Sequence, residues 1–227
     1  MDGMIGQRWA EVRAEVPAGV EVVAVSKTKP VEAVEAGYAA GARSFGENRV
    51  QELVSKHEAL THPESGRSEA FQGLSWHQIG TLQKNKVKYI APFVGLIHAV
   101  DQAALLDEIN KRAQAHDRHI PVLLQLHIAQ ESSKFGLSGT ELGGIVERLD
   151  AAEWPHVQVQ GLMGMATFTE DHKQVAREFN GLRALYDQYS PAMGWDTLSM
   201  GMSGDWRIAV DCGSTMVRIG SAIFGKR

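Results

Sequence analysis

Lys27 closes a short β-branched run, Val20-Glu21-Val22-Val23-Ala24-Val25-Ser26, and Thr28-Lys29-Pro30 follows it. A run of this kind reads as a buried strand, which places the lysine where the strand stops. An ammonium at the end of a core strand is costly unless it is paired or loses its charge. Two readings follow: a surface lysine that snorkels out of the strand end, or a nucleophilic amine that adds to a carbonyl. Gly201-Met202-Ser203-Gly204-Asp205 and Gly220-Ser221 each lead from a strand into a helical stretch. Their hydroxyls and backbone N–H groups would face an anion, although each taken alone is also an ordinary turn.

Arg218 lies in the apolar stretch Met216-Val217-Arg218-Ile219-Gly220. Its guanidinium cannot be neutralised, so it must find acceptors in a salt bridge across the core or on a ligand. Pyridoxal phosphate would use all three features: a lysine for its aldehyde, donors for its phosphate and a partner for its ring nitrogen. His77, in Trp76-His77-Gln78-Ile79-Gly80, reads either as a satisfied core histidine or as a site residue. The other histidines are scattered, and no His, Cys or Asp group has metal-ligand spacing. There is no Walker, dinucleotide or GxSxG motif. The basic run from Gln83 to Lys88 reads as a solvated helix face that can also meet an anionic partner.

Elements that would position these residues alternate along the chain. Strand-like runs fall near 20–26, 43–46, 75–80, 96–100, 121–128, 157–165, 197–202 and 215–219. Helical patterns fall near 4–15, 31–41, 47–60, 82–91, 102–116, 140–151 and 172–189, with a short piece after Gly204. Strict alternation implies parallel strands with crossover helices. Eight strands predict a single α/β domain, a (β/α)8 TIM barrel over 1–227 with an extra N-terminal helix; an open doubly wound sheet is the rival. The carboxyl ends of these strands, where barrel sites form, present Lys27, Glu47-Asn48, His77, Asp101, Met163 to Met165, Ser203-Gly204 and Arg218 to Ser221. Pro30 reads as a helix start, Asp101 and Ser138 or Thr140 as N-caps, and Gly37 and Gly41 as helix stops. The polar stretch 61–69 reads as an exposed connection.

The 227 residues are 44% hydrophobic and 22% charged, with a net charge of -4, which points away from a general nucleic-acid or membrane binder. No apolar run approaches the ~20 residues needed to span a bilayer, and the first residues lack a signal-peptide layout. The single cysteine, Cys212, reads as a small buried residue. The expectation is a cytoplasmic monomer.

Seven segments together resemble the pyridoxal phosphate homeostasis proteins, whose fold is related to the alanine racemase N-terminal barrel. They are AVSKTKP (24–30), FGENRVQE (45–52), WHQIGTLQKNK (76–86), SKFGL (133–137), GLMGMA (161–166), LSMGMSGD (198–205) and GSTMVRIGSAIFG (213–225). The resemblance spans nearly the whole chain. It implies that Lys27 is the Schiff-base lysine, that Arg218 donates to the pyridine nitrogen, and that Ser203, Gly204, Gly220 and Ser221 form the phosphate cup. It further implies that Asn48, His77 and Met165 line the cofactor pocket. Arg49 and Gln78 depart from residues common in the family, which puts the pocket's polarity in question but not the lysine or phosphate motifs.

The resemblance implies a carrier of pyridoxal phosphate, possible donor to apo-enzymes, with a pyridoxal phosphate-dependent amino-acid racemase as the alternative. Racemases of the related fold take a catalytic tyrosine from a further domain of the partner subunit. Here only Lys226-Arg227 follow the last motif, and Tyr38, Tyr89, Tyr186 and Tyr189 all fall in helical segments. An arginine at the ring nitrogen also makes a weaker electron sink than a carboxylate. The expectation is a binding protein without catalytic turnover.

Overall fold

Val22, Val23, Ala24 and Val25 are all buried, so β1 (Glu21–Val25) is covered on both faces. That is the pattern of a parallel strand between a lumen and a helical layer. The computed structural model describes residues 2–130 and 135–225. The remaining strands are β2 (Ser44–Glu47), β3 (Ser75–Gln78), β4 (Leu96–Val100), β5 (Ile120–Leu126), β6 (Val157–Gly164), β7 (Thr197–Met202) and β8 (Met216–Ile219). They close into a parallel barrel in chain order, with β1 pairing β8 from Glu21↔Met216 to Ala24↔Ile219. The barrel expected from the alternation is the one observed, and the open sheet is excluded.

Helix α1 (Asp2–Glu15) precedes the barrel, and α2 (Val31–Ala39), α3 (Val50–Leu60), α4 (Val87–Ile90), α5 (Ala103–Ala115), α6 (Gly139–Asp150), α7 (His172–Met193), α8 (Trp206–Asp211) and α9 (Ser221–Phe224) follow the eight strands in turn. The main core lies between strands and helices and includes Phe45, Leu53, Ile97, Leu105, Leu124 and Phe179. A smaller cluster fills the lumen: Val23, Leu96, Ala99, Leu123, Met163 and Met216, with Ile79 and Met165 packed against it.

Several local expectations change. Gly37 does not stop α2; it sits buried within the helix, where a Cβ would come 3.2 Å from the Phe45 ring. Small size, not turning, is its use, whereas Gly41 just beyond has φ +104 and does end the element. Asp101 is not the cap of α5, since Gln102 holds that position without a side-chain bond. Ser138 does cap α6, in a capping box with Glu141. The segment 82–91 is a 3₁₀ turn, Lys84–Lys86, followed by one α-helical turn, Val87–Ile90. Two more 3₁₀ turns, Pro63–Ser65 and Ser68–Phe71, order the polar stretch after α3. Cys212 is half-buried. Ser133 and Lys134 of the SKFGL segment lie outside the described residues.

Phe179 on α7 is fully buried between helix and barrel. Phe179→Ala should lower the unfolding free energy by about 3–5 kcal/mol, through lost transfer energy and an unfilled cavity. Urea titration of the two proteins checks this.

Candidate functional site

Parallel strands that close on themselves bring all their carboxyl ends to one mouth. At that mouth lies a cleft of about 600 Å³, within the range usual for small-ligand sites. Of the nine residues expected in the site, Lys27, Asn48, Met165, Ser203, Gly204, Arg218, Gly220 and Ser221 line it, and His77 does not.

Lys27 is half-buried two residues past the end of β1. The two glycine–hydroxyl turns sit on adjacent strands and are tied together, because the Gly220 N–H donates to Ser203 Oγ at 3.2 Å. Asp205 shapes the first turn by accepting from the Met202 N–H at 2.6 Å. The N–H groups of Ser203, Gly204 and Ser221 donate to no other group among the described residues. They form a cluster of spare donors at the cleft wall, as an anion would require. Gly220 permits close approach of the two strand ends, since a Cβ there would stand 3.2 Å from Val25 O.

Arg218 is 4% exposed and has no carboxylate bonded to it among the described residues. Nη1 donates to Ser199 O at 3.0 Å and to Ser199 Oγ at 2.6 Å, and Nη2 donates to Gly164 O at 3.2 Å. A guanidinium has five N–H donors, so three bonds leave two, on Nε and Nη2, without a partner among the described residues. Burial lowers the arginine to about 10, with Asp205 opposing the shift; the group remains charged at neutral pH.

The correction at His77 has a clear geometric cause. Residues 77 and 79 both point inward from β3, but the mouth takes Ile79 and leaves His77 one layer deeper. There His77 Nδ1 meets His98 Nε2 at 3.1 Å and Nε2 meets Ser75 Oγ at 3.2 Å, while His98 Nδ1 lies 3.5 Å from Ser199 Oγ. A polar chain thus runs through the lumen from Arg218 to Ser75. Burial depresses His77 to about 4 and His98 well below its usual value, so both rings are neutral at pH 7. Gln78 does not line the cleft either. Its amide donates to Asn48 O at 2.9 Å and Gly80 O at 3.0 Å, tying together the loops after β2 and β3. Arg49 is exposed and outside the cleft wall.

Lys29 and Asp205, which flank the expected lysine and phosphate turn, also line the cleft, and sequence reasoning missed Thr81, Gln125 and Thr167, which line it too. Gln125 carried a readable signal, a lone amide in an apolar strand. Thr81 and Thr167 lie just past strand ends and carried no distinguishing one.

The family model of the alanine racemase N-terminal domain matches residues 3–227. The pyridoxal phosphate homeostasis protein of Vibrio alginolyticus is 38% identical over 93% of this chain and 88% of its own length. The chain belongs to this family. A solved structure of PipY from Synechococcus elongatus PCC7942 with PLP bound superimposes with a TM-score of 0.87, at 32% identity, covering 97% of this chain and 100% of that one. Alanine racemase from E. faecalis aligns with a TM-score of 0.71 at 14% identity, over 58% of its length, and shares the fold.

The neutral buried histidines predict an acid-sensitive fold. In the unfolded chain a histidine takes up a proton near pH 6.5, whereas His77 resists to about 4. Folding therefore binds fewer protons, and stability is full above pH 6.5 and falls as the pH drops towards 4. A shift of this size corresponds to roughly 3 kcal/mol. Urea midpoints measured between pH 7.5 and 4 should show the decline, with a shallower slope in His77→Gln.

Proposed function

We propose that this chain binds pyridoxal phosphate and serves its intracellular homeostasis as a carrier. The single observation that carries the reading is that an amine, a cluster of spare anion donors and a buried arginine with two donors left over line one cleft. Relatives across nearly the full chain carry the corresponding name.

The residues present fit the cofactor. Lys27 would hold it through its aldehyde. Ser203, Ser221 and the backbone amides of their turns would take the phosphate. Arg218 would donate to the ring nitrogen, and as a donor it would leave that nitrogen unprotonated. Asn48 and Met165 would flank the ring. When bound, pyridoxal phosphate supplies a carbonyl electrophile and an electron-accepting ring. Arg218 weakens that second capacity, because a ring nitrogen without a proton draws electrons less strongly.

The reading is of a binding protein and not a turnover enzyme. Racemisation needs an acid and a base on opposite faces of the α-carbon. Among the described residues the cleft wall contains no tyrosine and no histidine to stand opposite Lys27. No helix among the described residues is long and apolar enough to cross a membrane. We place the protein in the cytoplasm as a single-domain monomer, with apo-enzymes that use the cofactor as recipients.

Purified protein loaded with pyridoxal phosphate should retain it through denaturation after borohydride reduction, on the peptide that contains Lys27, and Lys27→Ala should lose the adduct at that position. Loss of the cofactor from the reduced wild type would reject the reading. Each hydrogen bond to the phosphate is worth roughly 1.5–3 kcal/mol. Ser203→Ala should accordingly weaken binding about tenfold or more, and pyridoxal without its phosphate should bind far more weakly. With single enantiomers of alanine in deuterated water, the loaded protein should incorporate no more than stoichiometric α-deuterium; sustained turnover with inversion would favour the racemase.

A further inference from the structure

Two lysines, Lys27 and Lys29, line the same cleft, and a single intervening residue separates them. Both carry the same primary amine, so how the backbone presents each one bears directly on which of them reacts. That backbone is unusual. Thr28 has φ +64, the left-handed region that β-branched residues rarely enter. Outliers of this kind persist where surrounding structure enforces them, and they concentrate at functional sites.

The enforcing structure is a buried charged network from β2 and α3. On one side of Lys27, Ser26 Oγ donates to Glu47 Oε1 at 2.6 Å, and Ser26 O accepts from Lys56 Nζ at 2.8 Å. On the other side, the Thr28 N–H donates to Glu52 Oε1 at 2.6 Å. Lys56 joins the two grips, donating to Glu47 Oε1 at 2.7 Å and to Glu52 Oε1 at 2.8 Å. The side chains of Lys56 and Glu47 are 5% and 0% exposed, and that of Glu52 is 22% exposed. A charge pair so deeply buried and bonded on both sides is a rigid anchor, since separating either partner leaves an uncompensated ion in the core. Ser26 O also accepts from the Lys29 N–H at 3.0 Å, which folds the chain back so that Lys29 leaves the strand direction. The fixed points are therefore residues 26 and 28, immediately on either side of Lys27.

From this geometry we infer that Glu47, Lys56 and Glu52 are positioning residues that hold the peptide around Lys27 and so select Lys27 over Lys29 as the amine that takes the aldehyde. The inference rests on the cofactor reading above. The network touches backbone and Ser26 only, and none of its three charged residues lines the cleft.

The test uses the full chain with pyridoxal phosphate, borohydride reduction and peptide mapping, together with amide hydrogen exchange of Thr28 in the absence of cofactor. In the wild type and in Glu52→Gln, which keeps an acceptor for Thr28, the adduct on Lys27 should exceed that on Lys29 by more than about tenfold. In Glu52→Leu the preference should fall several-fold, and the Thr28 amide should exchange about tenfold faster. The double variant Glu47→Leu with Lys56→Met replaces the buried pair by apolar groups of similar size, a change that cores often accept; it should lose the preference as well. If it does not fold, Glu52→Leu, altered at a partly exposed position, still decides. Unchanged selectivity and unchanged Thr28 exchange in folded Glu52→Leu would overturn the inference. An adduct on neither lysine in the wild type would reject the cofactor reading instead, and Thr28 exchange would still report whether the clamp exists.

Discussion

The pairing of β1 with β8 is the constraint on which everything else in the site depends. Without that seam, residues near position 27 and residues near 220 would stand at opposite edges of an open sheet. With it, Ala24 lies beside Ile219, so the lysine after β1 and the turn after β8 become neighbours. The ends of β7 and β8 are already neighbours through their own pairing, where Ser203 bridges to the Gly220 amide, and closure brings that pair of turns up to Lys27. The cleft is thus a by-product of topology, shaped by whichever residues the eight strand ends offer.

The lumen beneath the mouth is only partly apolar, and its polar part is organised by one cation. Arg218 is buried without a bonded carboxylate among the described residues, so carbonyl and hydroxyl dipoles carry the compensation. Because an arginine only donates, Ser199 must accept from it. The Ser199 hydroxyl hydrogen then has His98 Nδ1 as its available acceptor, which leaves His98 Nε2 to donate to His77 and His77 Nε2 to donate to Ser75. Neutral histidines satisfy this order, in keeping with their depressed pKa values. The anchor around Lys27 uses the opposite device, a paired buried cation. Arg218 and the backbone around Lys27 are thus held by different electrostatic means.

Much of this was readable from residue types alone. Lys27, Ser203 and Ser221 follow strands that β-branched and apolar runs announce, and parallel closure places such residues at one mouth whatever the details. The limits were set by depth and by distance along the chain. His77 and Ile79 share a face of β3, and period-two alternation cannot say which layer opens to solvent. Lys56 looks like any exposed helix lysine; its burial against Glu47 and Ser26 joins residues separated by 9 and 30 positions. Gly37 was misread because its role is set by the ring of Phe45 across the interface. Asp101 follows directly on its strand, but the N-cap position of the next helix falls one residue later, at Gln102.

The most direct measurement is a crystal structure of the protein soaked or co-crystallised with pyridoxal phosphate. The account predicts continuous density from Lys27 Nζ to the cofactor, the phosphate between the Ser203 and Ser221 turns, and the ring nitrogen within hydrogen-bond distance of Arg218. A cofactor joined to another lysine, or seated with its phosphate away from those two turns, would contradict it.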